Sequence, residues 1–166
     1  MLGGRLFYNK FAAVSVQNQQ DLLGYVAAAN KGALIEAIEI GPADPTPTSA
    51  MNLQMSLYLL TATVTGGTGG TTNALAIADG VTPASPGALA AAGSAWQNAT
   101  SQATTTGTKT QVLPLGAYLF TGYRLTIPVS IALNGLQAAV WTLDANLPFA
   151  AKMSAWMLIR ELGNGT

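Results

Sequence analysis

Residues 50–65, AMNLQMSLYLLTATVT, alternate with a period of two over most of their length. Met51, Leu53, Met55, Leu57 and Leu59 fall on one parity, and Asn52, Gln54, Ser56 and Tyr58 on the other. A helix would scatter those apolar side chains around its circumference, whereas a strand gathers them on one face. The pattern predicts a long half-buried strand. Its odd positions face a core, and Asn52, Gln54 and Ser56 face solvent or a partner. The GGTGG run at residues 66–70 ends it, because repeated glycines sustain neither regular element cheaply.

Other runs read in the same way. Residues 11–16 (FAAVSV) form a short strand, and residues 21–27 (DLLGYVA) read as extended although Gly24 weakens them. Residues 33–40 (ALIEAIEI) have helical propensity, but Ile35, Ile38 and Ile40 and the following Gly41-Pro42 favour a strand. That strand places Glu36 and Glu39 on opposite faces. Residues 110–113, 123–127, 135–143 and 154–162 complete the series, with Pro128 and Pro148 expected at turns or strand ends. Short strands punctuated by Gly/Pro turns predict an all-β antiparallel sandwich or barrel.

Residues 66–107 form a low-complexity tract of Ala, Gly, Thr and Ser. A structureless loop of that length is uncommon in a compact domain. Short strands are expected near residues 73–77 and 90–97, the second anchored by Trp96, with PASPG at 83–87 an exposed turn. The length of 166 residues fits one domain, placed at residues 11–163. Residues 1–10 read as an N-terminal arm whose Leu2, Leu6, Phe7 and Tyr8 must dock on something.

Only 8% of the residues are charged, against about 25% in an ordinary soluble domain. Seven basic residues balance seven acidic ones, hydrophobic residues make up 49%, and mean hydropathy is +0.34. Such a surface is weakly hydrated, and a net charge near zero favours association. The chain therefore either lies in a membrane or is covered by other protein. A spanning helix needs about 20 mostly apolar residues. The uncharged residues 45–78 are broken by Asn52, Gln54 and four glycines. The N-terminus lacks the apolar core and cleavage site of a secretory leader. A small outer-membrane barrel is the one membrane architecture compatible with alternating strands. No run of Lys or Arg supplies a nucleic-acid footprint.

The chemistry is sparse. Without His or Cys there is no imidazole base, no thiol nucleophile, no disulfide and no ordinary zinc site. The acids Asp21, Glu36, Glu39, Asp44, Asp79, Asp144 and Glu161 offer no local pair of the kind a glycosidase needs. A hydrolase with a paired-carboxylate site formed in three dimensions is the enzymatic alternative. GGTGG has neither the Lys-Ser/Thr pair nor the helix of a phosphate loop. The sequons at Asn98 and Asn164 are short matches without a secretory signal. Trp96, Trp141 and Trp156, with Tyr118, Phe120 and Tyr123, are candidates for a sugar-stacking platform, although large aromatics in sandwich strands more often serve core or interface. No catalytic residue, metal or cofactor is expected.

The order of elements resembles the small jelly-roll virion proteins of tailed bacteriophages, of the head decoration or cement type. The likeness runs over residues 11–162. It is carried by VSVQNQQDLL, ALIEAIEIG, the long alternating strand, GGTGGTT, QVLPLGAYLFTGYRLTIP, VSIALNGLQAAVWTLDANLP and the closing MSAWMLIREL. The resemblance implies a jelly-roll β-sandwich subunit, commonly a homotrimer, on the capsid exterior. Its partner would be the major capsid protein, with no direct nucleic-acid or membrane contact. Leu2, Leu6, Phe7, Tyr8, Trp96, Tyr118 and Phe120 are the candidate interface residues. A carbohydrate-recognising head-fibre or baseplate module is the alternative.

Overall fold

A computed structural model describes residues 4–43, 51–72, 76–77, 93–119 and 124–162. Their strands are β1 (Gly4–Val16), β2 (Gln20–Val26), β3 (Ala33–Pro42), β4 (Met51–Leu60), β5 (Val64–Thr65), β6 (Thr71–Thr72) and β7 (Ala76–Ile77), followed by β8 (Ser94–Gln97), β9 (Thr104–Thr105), β10 (Lys109–Leu119), β11 (Leu125–Leu133), β12 (Ala138–Leu143) and β13 (Ala151–Leu162). They build a five-stranded sheet, β11-β3-β13-β1-β7, a six-stranded sheet, β10-β4-β12-β2-β8-β6, and a small β5-β9 ladder. Every pairing is antiparallel.

The eight long strands define the topology. In chain order they are β1, β2, β3, β4, β10, β11, β12 and β13. One sheet then runs first-eighth-third-sixth and the other second-seventh-fourth-fifth. That is the jelly roll, two sheets wound from paired Greek keys. Residues 61–108 are an insertion between β4 and β10. From it, β7 caps the β1 edge, and β8 and β6 extend the β2 edge.

The core lies between the sheets. Phe11, Ile35, Ile38, Ile40, Met157 and Ile159 come from the five-stranded sheet, and Leu23, Tyr25, Leu53, Met55, Leu57 and Trp141 from the other. The alternating strands form two separate sheets that close on this apolar core, a sandwich and not one closed barrel. No helix among the described residues is long and apolar enough to cross a membrane.

Bulges correct the simple parity reading. In β1 the register slips between Phe11 and Val14, and Ala13 takes a φ of 54° with its N–H donated to Ser154 Oγ at 3.1 Å. The slip lets Phe11 and Val16, on opposite parities, both face inward. In β3 the ladder skips Glu36, since Ala37 pairs with Leu158 and Ile35 with Ile159. Buried Ala33 and Ile35 are thus followed by buried Ile38 and Ile40, and Glu36 and Glu39 share the outer face instead of opposing it.

Three other expectations change. From Gly4 on, the expected arm is the first half of β1, paired residue by residue with β13 from Gly4↔Leu162 to Lys10↔Trp156. Phe7 is buried. Pro128 sits inside β11 rather than at its end, next to a slip between Pro128 and Ile131. It is tolerated because β11 is a sheet edge. Ser56 is buried on the outer side of the six-stranded sheet, not solvent-facing. The strands at 71–72, 76–77 and 94–97 fall in or beside the stretches expected in the low-complexity tract, while the PASPG turn lies outside the described residues.

Candidate interaction faces

With the inner faces consumed by the core, interaction falls to the edges and the outer faces. Two of the sheet edges, β10 and β11, are guarded. β10 carries Pro114 and a slip between Gln111 and Leu113, and β11 carries Pro128 and its own slip. Proline and bulges on edge strands block pairing with another chain.

The two outer faces differ. On the six-stranded sheet, Leu60, Ala138 and Val140 point outward and meet Trp96, Ala99 and Ala103 of the insertion in a second cluster. The Trp96 indole lies over Gly24, where an added Cβ would collide with the ring, and Gly66 also packs close to it. Gly24 is therefore a seat for the indole, not a weak point in β2. Asp21 anchors the arrangement. Its Oδ2 accepts from Trp96 Nε1 at 3.1 Å and Ala103 N at 2.8 Å, and its Oδ1 from Thr142 Oγ1 at 3.3 Å. Burial pushes the Asp21 carboxyl above its usual range, and these hydrogen bonds only partly offset that. Beside the cluster, Ser56 donates to Asp144 Oδ2 and accepts from Gln111, while Tyr58 donates to Asp144 Oδ1 at 3.3 Å. The Lys109 ammonium stands 4.4 Å from the Tyr58 ring centroid.

The outer face of the five-stranded sheet has no such layer among the described residues. The ladders set its side chains in rows: Lys10, Trp156, Glu39 and Thr126; then Tyr8, Leu158, Ala37 and Pro128; then Leu6, Arg160, Leu34 and Ala132. Leu6, Tyr8, Leu34, Trp156 and Leu158 are all half-buried. Tyr8 meets Trp156 edge to face, 5.5 Å between centroids at 81°. The carboxylates on this face are internally matched: Glu36 with Arg160, and Glu39 with Arg124 at 2.9 Å and Thr126 at 2.7 Å. Burial alone would raise the Glu39 carboxyl, but hydrogen bonds from Thr126, Arg124 and Trp156 outweigh it and hold it below its usual range.

The candidate interface residues therefore divide. Leu6 and Tyr8 lie on this bare face, whereas Phe7 and Trp96 are buried within the subunit. Tyr118 pairs with Asn52 in β10, while Leu2 and Phe120 lie outside the described residues. The strip that joins Leu6 and Tyr8 was missed at Leu34, Trp156 and Leu158. Its signal was available: β13 is apolar on both parities, with Met153, Ala155, Met157 and Ile159 inward and Trp156 and Leu158 outward.

No tryptophan platform forms, since Trp141 is fully buried and Trp96 is covered. Glu161 accepts from Tyr25 Oη at 2.7 Å and Gly93 N at 2.8 Å, and burial with that carboxylate pushes the Tyr25 hydroxyl up. Asp44 and Asp79 lie outside the described residues. Among the described residues no three acidic side chains group as a metal site would require. Comparison with protein-family models, with curated proteins and with solved structures finds no match.

Proposed function

We infer that this chain is a structural virion subunit of a tailed phage, a capsid decoration protein whose copies associate into a homo-oligomer, with a trimer the expected state. The observation that carries the reading is the outer face of the five-stranded sheet, which no other layer covers among the described residues. It presents Leu6, Tyr8, Leu34, Trp156 and Leu158 beside ion pairs that need no outside partner. A second copy is the occupant that fits. The chain's balanced charge gives no long-range repulsion between copies, and proline and bulges on the β10 and β11 edges disfavour pairing there. Attachment to the major capsid protein rests on the order of sequence elements and on the jelly-roll topology, and it needs no catalytic chemistry.

The surface is less greasy than the composition implied. Among the described residues the large apolar side chains standing well into solvent are Val112 and Leu136. Low charge is balanced by Thr, Ser, Asn, Gln and small residues, so contacts would be largely uncharged and weakly dependent on salt. Gold-labelled antibody against this chain, imaged on purified phage particles, tests the assignment. Label distributed over the head is expected. Label confined to the tail tip, or particles without the chain, would overturn it.

A further inference from the structure

The described parts of the insertion outside the two main sheets, residues 61–70 and 98–108, are cross-linked mainly to each other. Thr106 N donates to Thr63 O, Thr61 N to Thr108 O and Thr108 N to Thr61 Oγ1. Thr100 N donates to Thr68 O, and Thr68 N to Ser101 Oγ at 2.9 Å. The β5-β9 ladder joins the two stretches as well. Their underside is thin, with Val64, Ala99 and Ala103 resting on Leu60, Trp96, Ala138 and Val140.

Attachment to the sandwich is concentrated on residues 20–22 of β2. Asn98 N donates to Leu22 O, Ala99 N to Asp21 O and Asp21 N to Ser101 O. Gln20 Nε2 donates to Asn98 Oδ1 at 2.7 Å, and Ala103 N to the Asp21 carboxylate. Beyond this line, Lys109 Nζ donates to Gln102 Oε1 at 3.1 Å. Trp96 itself belongs to the sheet side. Its strand β8 pairs with β2, and its carbonyl accepts from Asn9 Nδ2 at 3.1 Å on the inner side. The Asp21 carboxylate thus grips the sheet through Trp96 and Thr142, and the inserted layer through Ala103.

We propose that residues 61–70 and 98–108 form a cover that opens as one unit, with Asp21 as its catch, while both main sheets stay folded. Segments with little buried apolar area and one line of attachment open at lower free energy than a core. Opening would bare Trp96, Leu60 and Val140, so the cover shields an apolar strip that would otherwise be a second sticky face.

Hydrogen–deuterium exchange of the full-length protein, read by mass spectrometry, tests this. Peptides within residues 98–108 should exchange well before those within 153–161. Asp21→Ala should speed the first group by about tenfold or more, the loss of one buried acceptor, and leave the second unchanged. Asp21→Asn should exchange no faster than wild type in residues 98–108, because its amide oxygen still accepts from Ala103 and Trp96. Gly66→Ala, pressing on Trp96 from the cover side, should also speed residues 98–108 alone. The proposal is overturned if the two groups exchange together in the wild type. It is equally overturned if they accelerate together in Asp21→Ala and Gly66→Ala, or if Asp21→Ala does not fold.

Discussion

The two outer faces of this sandwich are treated in opposite ways. The six-stranded sheet exposes Leu60, Ala138 and Val140 and then seals them with the chain's own insertion, fastened at Asp21. The five-stranded sheet turns the half-buried Leu6, Tyr8, Leu34, Trp156 and Leu158 outward and has no covering layer among the described residues. Under the proposed function, the face left uncovered among the described residues is the one that meets a second copy. The sealed face also shows what an unwanted apolar strip of this kind requires.

The largest effects should come from residues that both faces depend on. Leu57 is fully buried beneath the six-stranded sheet. Leu57→Asp buries an unpaired carboxylate, costs several kcal/mol and should abolish the β-type circular dichroism spectrum. Deleting residues 1–10 should do the same, since it removes half of β1 and the buried Phe7. A folded deletion mutant would show that the five-stranded sheet does not need its β1 pairing.

Ser56→Asp comes next. It adds a second carboxylate against Asp144 at a buried position, which should cost about 2–3 kcal/mol in a denaturant melt. A neutral result would mean that the polar half of the six-stranded sheet is open to solvent.

The faces should also answer acid with opposite signs. Glu39 is held below its unfolded value, so its contribution is present above that value and lost as pH falls through the folded one. Asp21 is raised above its ordinary 3.8, so its contribution is complete below that value and lost as pH rises through the folded one. Glu39→Gln should therefore melt lower than wild type at pH 7, with the gap closing in acid. Asp21→Asn should melt at or above wild type at pH 7, its gap closing in acid as well. The same sign from both variants would break the contrast.

The smallest effect concerns the β11–β12 turn. Leu136 is 54% exposed with a φ of 67°, a left-handed conformation costly for a side chain with a Cβ. Leu136→Gly should raise stability by up to about 1 kcal/mol, read by thermal melting.

The strands were legible because the strongest of them, β4, alternates cleanly through Leu53, Met55 and Leu57. What failed was what a period of two cannot carry. The bulges at Ala13 and Glu36 leave no mark in composition, yet each reverses every side chain beyond it. Ser56 looked exposed because its burial comes from Gln111 and Asp144, 55 and 88 residues away. Gly24 looked like a defect because the ring that needs it arrives from β8. The bare face was half legible: Leu6 and Tyr8 stood out as apolar residues without a strand, and only the pairing of β1 with β13 sets them beside Trp156 and Leu158.

The most direct test is sedimentation velocity on the wild type and Leu158→Asp at tens of micromolar, with melting curves as a control for folding. The bare-face account predicts a discrete oligomer for the wild type and a folded monomer, melting close to wild type, for Leu158→Asp. A monomeric wild type, or an oligomer that survives Leu158→Asp unchanged, would contradict it.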